Sequence, residues 1–275
     1  MSAENKNEAV ASSDVSTRIS QQLAELDEAY LHRAEKHIEL LLAEKAAEAG
    51  DAEAQARCGD LYLNGNGEDI LVSRRMAHHW YMEAAKQGHV RAQLLCGEYY
   101  YNRYYPIRDS ARAALQKAEA LQWYEKAAEQ GNAQAQFCCG NMYYRGEGMD
   151  EPDFEKAFYW YEKAAEQGHP HAQYALGGMY GNYGTEDDDK KAFYCYLQSA
   201  QQGYDEAQVI VGSLYERGDG TDVDYQKALY WYEKAAEQGH DHGVVACASM
   251  YREGKGTPVD LEKARYWAEI GRAHV

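Results

Sequence analysis

A nine-residue phrase, W-Y-x-K-A-A-E-Q-G, recurs along this chain and constrains its fold more than any other feature. It stands at Trp123–Gly131, Trp160–Gly168 and Trp231–Gly239, with a variant at Trp80–Gly88 and a weaker copy at Tyr194–Gly203. The glycines that close each period are Gly50, Gly88, Gly131, Gly168, Gly203 and Gly239, spaced by 38, 43, 37, 35 and 36 residues. A period of this length marks small helical units that cannot bury an apolar face alone and must stack on their neighbours. The expected fold is therefore all-α: a solenoid of about six helix-turn-helix repeats behind an N-terminal helical cap.

The pattern divides the chain into a disordered polar tail (1–13), a cap with half a repeat (14–50), six repeats (51–271) and a short tail (272–275). In the cap, Val15, Ile19, Leu23 and Leu26 recur at helical spacing, as do Leu31, Ala34, Ile38, Leu41, Leu42 and Ala46. The first helix of each repeat carries a buried stripe, such as Ala135, Cys139, Met142 and Tyr143 in repeat three. A glycine beside that stripe (Gly59, Gly97, Gly140, Gly177, Gly212) permits a close helix approach. Ser73, Asp153, Asp188, Asp224 and Asp260 are the expected N-caps of the second helices, each worth roughly 1 kcal/mol. Repeat two has the longest period. Its second helix is expected to start near Asp109 or Ser110 and to protrude. The second alanine of each A-A pair (Ala85, Ala128, Ala165, Ala236) is expected at a close helix contact, so Ala165→Leu should cost ~1–3 kcal/mol.

The combined pattern, A-x-x-x-L-G-x-x-Y-x-x-G-x-G, a capped helix and A-x-x-W-Y-x-K-A-A-E-Q-G, resembles the Sel-1-like repeat family, a relative of the tetratricopeptide repeat. The resemblance covers about residues 34–271. It implies a right-handed α-solenoid whose first helices line a concave face, and an adaptor or scaffold role. Repeat four departs from the pattern, with Gly181-Asn182-Tyr183-Gly184 in its loop and Cys195 at the Trp position. One cysteine-rich, secreted branch of the family is associated with β-lactam binding or hydrolysis. That branch pairs a cysteine in each half of a repeat. This chain lacks the pairing, so a hydrolase is only a minor alternative.

The formal net charge is −17. Nucleic-acid binding and adsorption to anionic lipid both need clustered Lys and Arg, so neither is expected. A basic protein partner would be steered in, and the same charge also serves solubility. No apolar stretch approaches the ~18 residues of a membrane span, and Met1–Val15 lacks the apolar core of a signal peptide. Cys58, Cys96, Cys139 and Cys247 share one repeat slot and cannot easily pair with each other, which points to reduced thiols in a cytoplasm.

The candidate site is a second stripe on the first helices, facing away from the buried one: Leu94, Glu98, Tyr101, Phe137, Asn141, Tyr144 and Tyr174. Aromatic residues on a surface not needed for packing within the repeat point to partner binding. Burial of the same side chains between adjacent first helices is the competing reading. Tyr104 and Tyr105, in the repeat-two insertion, form a secondary candidate surface. His169-x-His171, His240-x-His242 and Asp187-Asp188-Asp189 lack the partners of a metal or calcium site. The G-x-G loops lack the Lys-Ser/Thr of a phosphate loop. No catalytic residue, metal or cofactor is expected. The function expected is a non-catalytic adaptor that lays a partner segment along a concave, Tyr-rich acidic surface. The alternative is an inhibitor or immunity-type protein that neutralises a basic toxin or enzyme. Oligomeric state stays open.

Overall fold

A computed structural model describes residues 28, 30–32, 34–65, 72–102, 110–182 and 185–273. The first apolar run of the cap and the Tyr104-Tyr105 insertion lie outside these residues. The chain divides into two compact units, Met1–Tyr99 and Tyr100–Val275. The first holds α1 (34–48), α2 (Ala52–Asn64), α3 (Arg74–Lys86) and most of α4 (Val90–Tyr101). The second holds α5 (Ser110–Glu129), α6 (Ala133–Arg145), α7 (Phe154–Glu166), α8 (Pro170–Gly181), α9 (Glu186–Gln201), α10 (Asp205–Arg217), α11 (Tyr225–Glu237), α12 (Asp241–Glu253) and α13 (Leu261–Ala273). Consecutive helices from α5 to α13 pack pairwise, an all-α solenoid arrangement.

The repeated phrase ends in A-A-E-Q-G because it closes one helix and opens the next. At the α7–α8 junction, Gly168 sits at φ 83°. Its N–H donates to the Ala165 carbonyl and the N–H of His169 to the Ala164 carbonyl, the Schellman pattern. His169 then caps α8: its Nδ1 accepts from the Ala172 N–H at 3.3 Å. One residue thus serves as the last of one motif and the first of the next. Asn132 caps α6 in the same way, at 2.8 Å, and His89 caps α4 at 3.1 Å.

Ser73, Asp153, Asp224 and Asp260 cap their helices as the spacing predicts. Asp188 does not. The turn before α9 is shorter, the helix starts at Glu186, and Thr185 accepts from the Asp188 N–H at 3.2 Å. Helix α5 has 20 residues against 13 in α7, so the second helix of repeat two is the long one expected.

Within a repeat the recurring glycine of the first helix receives a tyrosine ring. A Cβ on Gly140 would lie 2.5 Å from Cδ1 of Tyr161, so any side chain there must displace the ring. Between repeats a buried glutamine ladder joins the helices. Gln136 Nε2 donates to the Ala128 carbonyl at 3.1 Å and Gln208 Nε2 to Ala200 at 3.2 Å. Gln167 and Gln238 in turn donate to the side-chain oxygens of Gln136 and Gln208. Tyrosine latches add to it: Tyr143 donates to Glu125 and Tyr251 to Glu233.

In α1 the buried face is Leu40, Ala43 and Ala47, while Ile38, Leu41 and Leu42 are exposed, as is Leu31 before it. One packing expectation needs correction. Ala85, Ala128 and Ala236 are buried, but Ala165 is only half-buried, so it does not sit at the tight contact expected of it. The deepest alanine of that pair is Ala164.

Candidate functional site

Four of the seven stripe residues, Phe137, Asn141, Tyr144 and Tyr174, line one groove of about 950 Å³ in the second unit. It runs over α6, α8 and α10, with Tyr161 of α7 and Asp189, Ala192 and Tyr196 of α9 also in its wall. Tyr101 belongs to the same unit but lies apart from the groove. It packs on Tyr124 at 6.5 Å and has Lys117 Nζ 5.8 Å from its ring. Leu94 and Glu98 are half-buried in the first unit. Burial alone pushes the Glu98 carboxyl above the usual range.

The stripe is neither fully exposed nor fully buried. Only Tyr144 is exposed, at 41%; the other six residues are half-buried. Phe137 stacks on the capping His169 at 4.8 Å and meets His171 at 5.7 Å. Tyr174 sets its ring edge-on to Tyr196 and Tyr204, at 5.5 and 5.1 Å. Phe137 and Tyr174 each lean on the next repeat, through His169 and Tyr204, and also line the groove. Rings held by such contacts need less ordering on binding, which lowers its cost.

Sequence reasoning missed Tyr196, Tyr204, His171, Arg145 and Arg217, all of which line the groove. Tyr204 could have been found. It occupies the junction position that is Asn132 and His169 in the two preceding repeats, and caps α10 without a side-chain hydrogen bond. Its ring is free to pack against the groove wall. The formally charged side chains of the lining are Arg145, Arg217, Asp189 and Asp219, two of each sign. Arg217 pairs with Asp219 at 2.8 Å. The strong acidity of the whole chain is therefore not concentrated here.

His169 is held neutral chiefly by burial, and secondarily by the neighbouring His171, so its pKa lies below the ordinary histidine value. Since Nδ1 accepts the Ala172 N–H, the proton sits on Nε2 and is donated to Gln134 Oε1 at 3.0 Å. Among the described residues no group of three or more His, Cys, Asp or Glu could hold a metal ion, and no helix is long and apolar enough to cross a membrane. Burial raises the thiols of Cys58 and Cys195 to about 11, and those of Cys96 and Cys247 to about 12. These thiols are packing groups, not activated nucleophiles.

The Sel1 repeat family model matches six consecutive segments: 52–89, 90–132, 133–169, 170–204, 205–240 and 245–271. The chain belongs to the Sel1 repeat family. Its fold is similar to that of c5321, a protective antigen of uropathogenic Escherichia coli, with a TM-score of 0.75 and 30% identity. That likeness covers 86% of this chain and 48% of the antigen chain, so the chain spans about half the antigen's length. A Sel1 repeat protein from Oxalobacter formigenes is similar at a TM-score of 0.65 and 30% identity, over 87% of this chain and 96% of that one. The immunity protein Pa5087 from Pseudomonas aeruginosa is more remote, at 0.43 and 21% over 81% of each chain. No curated protein matches the chain. Sel1 repeat proteins are generally protein-interaction scaffolds.

Proposed function

We propose that this chain is a non-catalytic adaptor that holds a segment of a partner protein in the groove over α6, α8 and α10. The observation that carries this reading is the groove itself: about 950 Å³, lined by rings that the fold has already ordered. Exposed Tyr144 and the Arg145 and Arg217 heads would meet the partner first. The half-buried rings would supply apolar contact, and Asn141 and the tyrosine hydroxyls its polar readout. The groove's formal charges cancel, so it asks for an amphipathic segment and gives a basic toxin no special place. The inhibitor reading therefore has less support at this site than the adaptor reading. Free, buried thiols agree with a reducing compartment, and the cytoplasm is the proposed location.

The test compares wild type with Tyr144→Ser/Arg217→Glu, two exposed changes that leave the stacked rings in place. Each is immobilised, and proteins bound from native lysate are identified and then titrated in purified form. A partner that binds wild type and loses at least tenfold affinity for the variant supports the reading. A partner with equal affinity for both overturns this groove as the site. Loss of the captured partner's own activity on binding would turn the adaptor into an inhibitor.

A further inference from the structure

A second opening lies on repeat four, away from the groove. It is a notch of about 540 Å³ lined by Ala165 of α7, Leu176 and Tyr180 of α8, and Tyr194 and Cys195 of α9. Its origin can be read by comparing repeats. The second helices carry Trp80, Trp123, Trp160, Trp231 and Trp267 at one position, and only α9 differs, with Cys195. Where the structure shows the tryptophan's packing, the indole joins the cluster containing the second alanine of the preceding repeat. Trp80 packs on the cluster of Ala43, Ala47 and Cys58. Trp231 and Trp267 pack on the cluster that holds Ala200 and Ala236. Those alanines are nearly inaccessible: Ala47 is 2%, Ala200 1% and Ala236 4% exposed. Ala165 precedes the one repeat that lacks the indole, and it is the one left half-buried. The notch is thus the volume that a tryptophan fills elsewhere in this same chain.

We propose that the notch is a receptor for a tryptophan side chain presented by another polypeptide. The reason for that occupant is internal. The helix and alanine pair that seat Trp80, Trp231 and Trp267 are present here, with the indole missing and a larger residue, Leu176, in the first-helix slot. Leu176 occupies the slot that is Cys58 in repeat one and Val211 in repeat five, so the apolar bed is present. The Glu162 carboxylate, also in the lining, supplies an acceptor for an indole N–H. The lysines at the edge, Lys190 and Lys191, already pair with Glu186 and Asp187, each one turn away on α9. They leave the notch without a dominant charge. The notch is open and has a polar edge, but Ala165, Leu176, Tyr180 and Cys195 give it apolar surface that a ring would cover. This site is independent of the groove, so either can fail without the other.

The probe is N-acetyl-tryptophanamide, with N-acetyl-leucinamide as control, titrated into the full chain and into Cys195→Trp. Melting midpoint and backbone amide shifts are followed. The expected result is a concentration-dependent rise in the wild-type midpoint, with shifts centred on Ala165, Leu176 and Cys195 and none from the leucine compound. The Cys195→Trp chain should melt above wild type and ignore the probe. No wild-type response, shifts centred elsewhere, or equal responses from both chains would overturn the proposal. A Cys195→Trp chain that melts below wild type would overturn the shape argument on which it rests.

Discussion

Repeats three and four are adjacent copies of one template, and the fourth has lost side chains on both sides of its helix pair. On the groove side, Tyr161 of repeat three donates to Asn141 at 2.8 Å. The equivalent of Asn141 in repeat four is Gly178, and it offers Tyr196 no side-chain acceptor. On the other side, Trp160 is replaced by Cys195. The turn differs too. Helix α6 ends on Gly146 in the left-handed region, whereas α8 ends on Asn182 in a right-handed conformation. Yet repeat four keeps its junction glycines, its ladder glutamine Gln173 and the glycine under the tyrosine ring, Gly177. The comparison separates two kinds of residue. Junction, ladder and ring seat hold a repeat in the array. The outer positions can be emptied, and each emptied position borders one of the openings described above.

The sharpest test sets the two repeats side by side. Gly140→Ala pushes a methyl into the Tyr161 ring, and it should cost ~1–3 kcal/mol by overpacking, near the upper end. Gly178→Ala meets only the Tyr196 hydroxyl, at 3.4 Å. There the helix-propensity gain of up to ~1 kcal/mol should offset any crowding. Thermal or denaturant melts decide it, and equal losses would show that repeat four is not the looser copy. The same logic applies to the alanines. Ala128→Leu should cost ~1–3 kcal/mol, because Ala128 is 1% exposed. Ala165→Leu should cost clearly less, because its side chain can extend into the notch. A cost at 165 equal to that at 128 would close the notch as a real space.

Much of this fold can be read from the sequence because periodicity and chain-ending chemistry are local. The glycine period marks the junctions, and four of the five proposed second-helix caps accept the expected N–H. What could not be read depends on packing between helices and on turn geometry. Gln136 and Gln208 are polar, so no apolar pattern marks them as core, yet they tie one repeat to the next. Helix α1 is apolar on several faces, and the pattern alone could not choose Leu40 over Leu41 or Leu42 as the buried one. The offset of four residues before the first alanine selects Asp188, but α9 starts at Glu186 and Thr185 carries the cap. The stripe picked out four groove residues, while Tyr196 and Tyr204 enter from a second helix and a junction that the stripe does not contain.

That displaced cap gives a smaller, local test of the same two repeats. Thr185→Ala removes the acceptor for the Asp188 N–H and should cost roughly 1 kcal/mol. Asp188→Ala leaves that acceptor in place. It loses the bond with the Thr185 hydroxyl and should cost less. In repeat three the positions reverse: Asp153, four residues before the helix's first alanine, carries the cap, so Asp153→Ala should match Thr185→Ala. Equal costs at 185 and 188 in urea melts would mean that α9 starts later than Glu186.

The smallest effect distinguishes the junctions that open repeats three and four. Asn132 caps α6 without titrating, whereas His169 caps α8 and is kept neutral by burial. Its folded pKa lies below its ordinary value of about 6.5. The folded state therefore binds fewer protons than the unfolded chain once the pH drops below that value, and stability rises with pH in that window. The contribution is complete above about pH 6.5 and is lost as pH falls through the lowered folded value. His169→Asn should keep the cap, as Asn132 does, and remove this slope, so wild type should lose stability relative to His169→Asn on acidification. The Phe137 ring stacked on His169 supplies a local reporter, and its proton shifts in wild type should titrate with the same lowered midpoint. Identical pH profiles for wild type and His169→Asn would mean that the imidazole is open to water, and that the first ring of the groove rests on a looser support than the structure shows.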